Sequence, residues 1–174
     1  MLARLLNLKP FKLKEPNASL YDIGLTTTRG EHLDLNQFKN KYLLIVNVAS
    51  KCGFTKQYTD LQKLAEAYKN KLVILACPCN QFANQEPGSN ADIANFCSIN
   101  YNISFPITEK LNVKGSNKHS LYKWLTEKEL NGNFNSSVKW NFQKYLINPK
   151  GQLLDVFYST TKPTSKKITS HING

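Results

Sequence analysis

Two apolar runs constrain what this chain can fold into. Tyr42-Leu-Leu-Ile-Val-Asn-Val-Ala49 and Lys71-Leu-Val-Ile-Leu-Ala76 show no polar alternation. A strand with one wet face alternates; a strand covered on both faces reads as a continuous run. Between them, Gln57 to Tyr68 carries Tyr58, Leu61, Leu64, Ala65 and Tyr68 at helical spacing. Strand, helix and strand in that order predict a parallel pair with a right-handed crossover, at the centre of a sheet with helices on its faces. Pro78 marks the end of the second run.

The flanking segments extend this frame. Ser19-Leu-Tyr-Asp-Ile23 alternates like a strand, Thr27 to Gly30 turns, and Glu31 to Leu35 reads as the returning partner, an N-terminal β-hairpin. Ser89 or Asn90 can cap a helix whose apolar stripe is Ile93, Ala94, Phe96 and Cys97. Lys118 to Glu127 predicts a third helix and Ser165 to Ile172 a short terminal one. Tyr145 to Ile147 and Leu153 to Tyr158 flank the turn Asn148-Pro-Lys-Gly151 and read as a second hairpin. The order defines an α/β fold with a central mixed β-sheet flanked by helices, the arrangement of a thioredoxin-like fold. With no repeat and no Gly/Ser linker, residues 1–174 are expected to form a single domain.

Composition narrows the setting. A hydrophobic content of 41% with 20% charged residues describes a folded chain, not a disordered one. No apolar run approaches the roughly 20 residues that span a bilayer. Met1 to Pro10 reads as a short arm, not a secretory signal, because a basic residue interrupts it and no small-residue cleavage pattern follows. The net charge of +11 is spread over scattered lysines, without the runs or motifs of a nucleic-acid binder. It leaves open a solvated lysine-rich surface, an acidic protein partner, an anionic substrate or contact with a membrane surface. The four cysteines, at 52, 77, 79 and 97, are too sparse for a disulfide scaffold and favour a reducing, cytoplasmic compartment. Cys77-x-Cys79 lacks further ligands, and the three histidines show no clustering, so no metal site is expected.

Cys52 stands where the first buried run ends, in Asn47-Val-Ala-Ser-Lys-Cys-Gly-Phe-Thr55. Backbone N–H groups at such a strand-to-helix junction are unpaired and favour an anionic, nucleophilic sulfur. Lys51 and Lys56 add positive charge, and Gly53 is expected to let the chain bend and leave the sulfur uncovered. The alternative is an inert, small buried hydrophobe. Thr55 occupies the place where a dithiol reductase would carry its second cysteine, so local Cys-x-x-Cys chemistry is excluded. Parallel strands end on one edge of a sheet, which brings Pro78-Cys-Asn-Gln-Phe82 and Gln85-Glu-Pro87 beside Cys52. Lys139-Trp-Asn-Phe142 precedes another strand and can reach the same edge. Taken singly, Trp140 reads as core and Gln81 as a solvated loop residue.

These three segments together resemble the signature segments of the glutathione peroxidase family. Phe105-Pro-Ile107 and Leu121-Tyr-Lys-Trp-Leu125 are also similar to family segments, and the resemblance runs in register from about residue 19 to 160. It implies a thioredoxin fold and a thiol peroxidase of the non-selenium branch, with cysteine in place of selenocysteine. By the match of motifs the catalytic tetrad is Cys52, Gln81, Trp140 and Asn141. An indole N–H and two amides can donate to a sulfur anion and to charge developing on a breaking O–O bond. Cys52 would attack a hydroperoxide, of hydrogen peroxide or an organic or lipid species, and become a sulfenic acid, with no metal or organic cofactor. The resemblance also implies a resolving role for Cys97, against the core reading that its helical stripe supports. The Ser98 to Ser104 stretch, poor in helix formers, is expected to unwind for that purpose. Thioredoxin, or glutathione as rival, would be the reductant. The short Glu127 to Val138 segment implies a monomer or loose dimer and a site open to bulky lipid hydroperoxides. Rival readings are a protein disulfide oxidoreductase on the same fold, a redox sensor that oxidises a partner, and a basic scaffold with an inert thiol.

Overall fold

The protein is described by a computed structural model covering residues 12–174. The arm expected at Met1 to Pro10 lies outside the described residues. The two apolar runs are the strands β3 (Tyr42–Val48) and β4 (Leu72–Pro78), preceded by the short pair β1 (Leu25–Thr26) and β2 (His32–Leu33). The helix between the two runs is α1 (Gln57–Ala67). After β4 come α2 (Asn90–Tyr101), α3 (Ser120–Thr126), α4 (Lys128–Asn131), β5 (Lys144–Ile147), β6 (Leu153–Phe157) and α5 (Lys166–Asn173).

The main sheet has the order β4-β3-β5-β6. β3 pairs parallel with β4 and antiparallel with β5, and β6 continues antiparallel from β5. The sheet is therefore mixed, as expected from the crossover and the late hairpin. The unbroken apolar runs follow from this central position. Leu43 and Ile45 of β3 pack on one face with Leu75, Cys77, Tyr122, Trp124 and Tyr145. Leu44, Val46 and Val48 pack on the other with Tyr58, Leu61, Ile93, Cys97 and Ile168. Alternate side chains of one strand thus fill two cores, one beneath α1, α2 and α5 and one beneath α3. Each fully buried aliphatic side chain in these layers stabilises the fold by about 1.5–3 kcal/mol.

The N-terminal hairpin exists, but its first strand is not the one the alternation predicted. Leu20–Asp22 forms a 3-10 turn capped by the Ser19 hydroxyl, which accepts from the Tyr21 N–H. The strand is Leu25–Thr26, paired with His32–Leu33. Three residues of alternating polarity satisfy a short turn as well as a strand, and Ser19 supplies the cap that decides it. The hairpin reaches the main sheet through the 105–108 segment. Thr28 N–H donates to Ile107 O, while Ala76 N–H donates to Pro106 O along the free edge of β4. Two other differences concern helices. α2 runs four residues into the stretch expected to be a poor helix, ending at Asn102 with φ 48°, whose N–H caps the Cys97 and Ser98 carbonyls. α4 occupies part of the 127–138 segment, with the buried Asn131 amide bonded to the Trp124 and Phe134 carbonyls. Gly151, at φ +78°, is needed in the β5–β6 turn because a Cβ there would lie 2.9 Å from the Tyr21 ring. Among the described residues no helix is long and apolar enough to cross a membrane.

Lys144, the first residue of β5, is fully buried, and its Nζ donates to the Phe142 carbonyl at 2.7 Å. Burial lowers its pKa from 10.5 to about 7. Between those values the unfolded chain binds one proton more than the folded one, so folding stability rises with pH across that window. Denaturant unfolding at stepped pH should show this rise, and Lys144→Met should flatten it relative to the native chain.

Candidate active site

The ends of β3 and β4 place three loops together. Beyond β3 the chain turns from Ala49 to Lys56 before α1 begins, so Cys52 lies one turn ahead of the helix. Thr55 shows what replaces a second thiol at that position. Its hydroxyl accepts from the Cys52 N–H at 2.9 Å and donates to the Ala49 carbonyl at 2.7 Å, tying the turn to the end of the strand. The Phe54 N–H points at the Cys52 Sγ at 3.4 Å, one of the junction donors expected from the chain's geometry. The expectation for Gly53 needs correction. Its backbone does not adopt a positive φ, and a Cβ there would meet nothing within 4 Å. The bend comes from the Thr55 hydrogen bonds, not from glycine's conformational freedom.

The loop after β4 is anchored to the first by Cys79 N–H donating to Val48 O and Lys51 N–H donating to Gln85 O, both at 3.0 Å. The third loop arrives through Asn47, next to last in β3. Its Nδ2 donates to the Trp140 carbonyl at 3.0 Å, and its own carbonyl accepts from the Phe142 N–H at 2.6 Å. Phe142 adopts φ 62°, so the chain turns back here and presents Trp140 and Asn141 at the sheet edge. The Lys144 Nζ, donating to the Phe142 carbonyl, braces the same turn. All three motif segments therefore meet at one edge: two through the parallel pairing of β3 and β4, and the third because β5, antiparallel to β3, starts where β3 ends.

The side chains behave individually. Trp140 is 37% exposed rather than core, with its ring 5.5 Å from that of Phe82. Among the described residues its indole N–H has no protein partner. Asn141 is fully buried; its Nδ2 donates to Gln85 Oε1 at 3.0 Å, and the Ser159 hydroxyl holds its carbonyl at 2.6 Å. Its Oδ1 is buried without a hydrogen-bond partner. Folds rarely leave such an atom unpaired, at a cost of about 1–3 kcal/mol, unless the group has work beyond packing. The Gln81 amide is turned onto the 113–114 backbone. Its Oε1 accepts from Val113 and Lys114 N–H at 2.7 and 3.1 Å, and its Nε2 donates to the Lys114 carbonyl at 3.0 Å. One Nε2 hydrogen is left over. Thus the loops of Cys52, Gln81, Trp140 and Asn141 are brought together, while among the described residues Phe54 alone hydrogen-bonds the sulfur.

Two residues near the site had no assigned role in the sequence. Cys79 lies beneath Gln81, its sulfur accepting from the Gln81 N–H at 3.4 Å and contacting Oε1 at 3.7 Å. Glu86 is 1% exposed, with Ser50 beside its carboxyl and Oε2 lacking a close partner. Burial raises the Glu86 pKa, partly offset by Ser50 and by the Lys110 and Lys51 charges. A charge pattern on an otherwise ordinary Gln-Glu-Pro loop carries no sequence signal for this burial. The other cysteines are held as thiols. Burial pushes Cys77 up to about 12, against Thr108 and Tyr122, and Cys97 up to about 11, against the Tyr58 hydroxyl. Cys79 is also raised, by burial.

The one cysteine that is not buried stands at the strand-to-helix junction of a thioredoxin-like sheet, with amides and an indole on the adjoining loops and Thr55 three residues on, which defines a thioredoxin-fold protein without local Cys-x-x-Cys chemistry. Comparison with known proteins narrows this class. Residues 20–126 match the glutathione peroxidase family. The chain is 46% identical over 148 residues to glutathione peroxidase-like peroxiredoxin 2 of Saccharomyces cerevisiae, covering 84% of this chain and 91% of that one. It is also 46% identical over 150 residues to the glutathione peroxidase homolog BsaA of Staphylococcus epidermidis, covering 86% and 94%. Among solved structures, Trgpx in its apo form superposes with a TM-score of 0.69 at 35% identity, over 91% of this chain and 97% of that one. A thioredoxin-family thiol:disulfide interchange protein from Chlorobium tepidum shares the fold alone, at TM-score 0.64 and 12% identity over 92% and 97% of the two chains. The chain belongs to the glutathione peroxidase family and is a peroxidase of the oxidoreductase class.

Cys52 is half-buried, whereas Cys77, Cys79 and Cys97 are buried. Brief iodoacetamide treatment of the native protein near pH 7 should therefore alkylate Cys52 alone. Peptide mapping should show the other three labelled only after denaturation.

Proposed function

We propose that this peroxidase reduces hydrogen peroxide and organic or lipid hydroperoxides through Cys52 and is recycled through Cys97 by a thioredoxin. The observation that carries the reading is the assembly of the Cys52, Gln81 and Trp140–Asn141 loops at one sheet edge, around the one accessible sulfur. The Cys52 thiolate attacks the terminal peroxide oxygen, the O–O bond breaks, and the leaving oxygen takes a proton to depart as water or an alcohol. Cys52 is left as a sulfenic acid. The Phe54 N–H lies on the sulfur, and the unpartnered Trp140 indole N–H and the second hydrogens of the Asn141 and Gln81 amides supply further donors. Donors of this kind stabilise charge as it develops on sulfur and oxygen.

Cys97 then attacks the Cys52 sulfur, an S–S bond forms, and the hydroxyl leaves as water with the thiol proton. Cys97 is fully buried on α2, and a disulfide needs Cα atoms within about 7 Å, so the last turns of that helix must open. That opening breaks the Asn102 cap and the Tyr58–Tyr101 and Phe96–Tyr101 ring contacts. Thiol–disulfide exchange with the two thiols of thioredoxin restores both cysteines and leaves thioredoxin oxidised. The yeast relative's name, a peroxiredoxin, fits this recycling, and the short segment around α4 leaves the site accessible to bulky hydroperoxides. A cytoplasmic monomer or loose dimer is the corresponding setting. The basic surface, net +11, offers charge complementarity to anionic membranes or to an acidic reductant.

The test is mass spectrometry after one equivalent of hydrogen peroxide, with turnover coupled to thioredoxin, its reductase and NADPH. A loss of two hydrogens with a Cys52–Cys97 linked peptide is expected. Cys52→Ser should abolish peroxide consumption. Cys97→Ser should leave the first oxidation intact and lower thioredoxin-coupled turnover by at least about 100-fold, a stopped second step. A stable single-cysteine adduct in the native protein, with full turnover on glutathione, would instead make glutathione the donor.

A further inference from the structure

The segment Phe82-Ala-Asn-Gln85 is built at a conformational cost. Ala83 and Asn84 both adopt left-handed backbone, at φ 52° and 51°. That conformation is disfavoured for a residue with a Cβ, and two in succession are unusual outside glycine. The effect is to turn Gln85 back toward the sheet edge, with its N–H on the Phe82 carbonyl at 3.2 Å. Gln85 then touches both halves of the site. Its backbone carbonyl accepts from Lys51 N–H, one residue before the nucleophile, and its side-chain Oε1 accepts from Asn141 Nδ2, each at 3.0 Å. The Asn141 side chain is fully buried and has no other hydrogen bond among the described residues, since Oδ1 is unpartnered. Gln85 therefore holds the orientation of that amide.

We propose that Gln85 is a positioning residue for peroxide reduction: it fixes the Asn141 amide relative to the Cys52 loop by bonding both. This rests on the reading of Asn141 as part of the peroxide-reducing site. A free asparagine amide would rotate between two orientations, presenting donor or acceptor to the same point. With Gln85 Oε1 as the acceptor, as the structure has it, the amide keeps one, and the remaining Nδ2 hydrogen is available for the reacting atoms.

Gln85→Ala keeps the backbone carbonyl, so the Lys51 bond survives and the Asn141 contact alone is removed. Gln85→Met does the same while filling the space, and serves if the alanine variant folds poorly. The readouts are the rate at which hydrogen peroxide oxidises Cys52, by acid quench and mass spectrometry, and the rate at which dithiothreitol re-reduces the oxidised protein. Both variants are expected to slow oxidation about 10-fold, the effect of one lost orienting hydrogen bond, and to leave re-reduction within twofold. In an Asn141→Ala background, Gln85→Ala should add nothing, because the group it orients is gone. Native-rate oxidation in the Gln85 variants, with Asn141→Ala slow, would overturn the inference and leave the Asn141 reading standing. Native-rate oxidation in Asn141→Ala would remove that reading and this role together. Equal slowing of both half-reactions, or additive effects in the double variant, would show general loosening of the loops and also overturn it.

Discussion

The parallel pairing of β3 with β4 is the constraint on which the rest of the structure depends. Seven residues pair in register, from Tyr42 with Leu72 to Val48 with Pro78, and both strands run out at one edge. A parallel pair needs a crossover, so α1 begins soon after β3 stops, and the turn between them presents a half-buried thiol with the Phe54 N–H on its sulfur. The same register brings the chain leaving β4 next to that turn. Once the strands are paired, two of the site's three loops are already neighbours.

The third loop is secured by a single polar residue inside an apolar strand. Asn47 is fully buried, and it is the exception in a run of aliphatic side chains. It bonds both sides of the Trp140–Phe142 turn, with the side chain on one carbonyl and the backbone on one N–H. Burying an amide in a core is costly unless it is hydrogen-bonded. Here the bond joins segments distant in sequence, which explains why a polar group sits where another valine would pack. Lys144 serves the same turn from below, and Gln85 and Ser159 hold Asn141 from either side. The site is thus held by amides and backbone carbonyls, which do not titrate, and by one buried lysine whose pKa is lowered to about 7. Burial raises the pKa of Cys77, Cys79 and Cys97 and leaves Cys52 as the accessible thiol.

Patterns that report burial were readable from the chain alone. The two continuous runs, the helical stripe of α1 and the hairpin around Asn148 to Gly151 stand where periodicity put them. So did the meeting of the first two loops, because it follows from the direction of β3 and β4. Short or ambiguous patterns were not. Ser19 to Ile23 alternates yet forms a 3-10 turn, α4 is a four-residue helix with one buried asparagine, and α2 continues through Ser98 to Tyr101 despite poor helix formers. In each case the deciding bond comes from a cap or from tertiary packing, which local propensity does not record. Trp140 reads as core by residue type and is exposed, since its ring rests on Phe82 at the rim.

The sequence by itself determined the layered α/β arrangement, the family and the place of Cys52 at the strand-to-helix junction. All three depend on residue order along single segments, where periodicity and motif spacing are complete information. Only the tertiary structure decided which side chains hold which. Thr55 replaces the missing thiol as a clamp, Gln81 bonds the 113–114 backbone, Gln85 bridges the nucleophile's loop to Asn141, and Glu86 is buried without a full set of partners. Hydrogen bonds act over about 3 Å and depend on angle. A linear pattern can bring two loops to the same edge, but the choice of partner rests on backbone turns such as Ala83–Asn84 and Phe142, whose left-handed geometry no residue type at those positions announces.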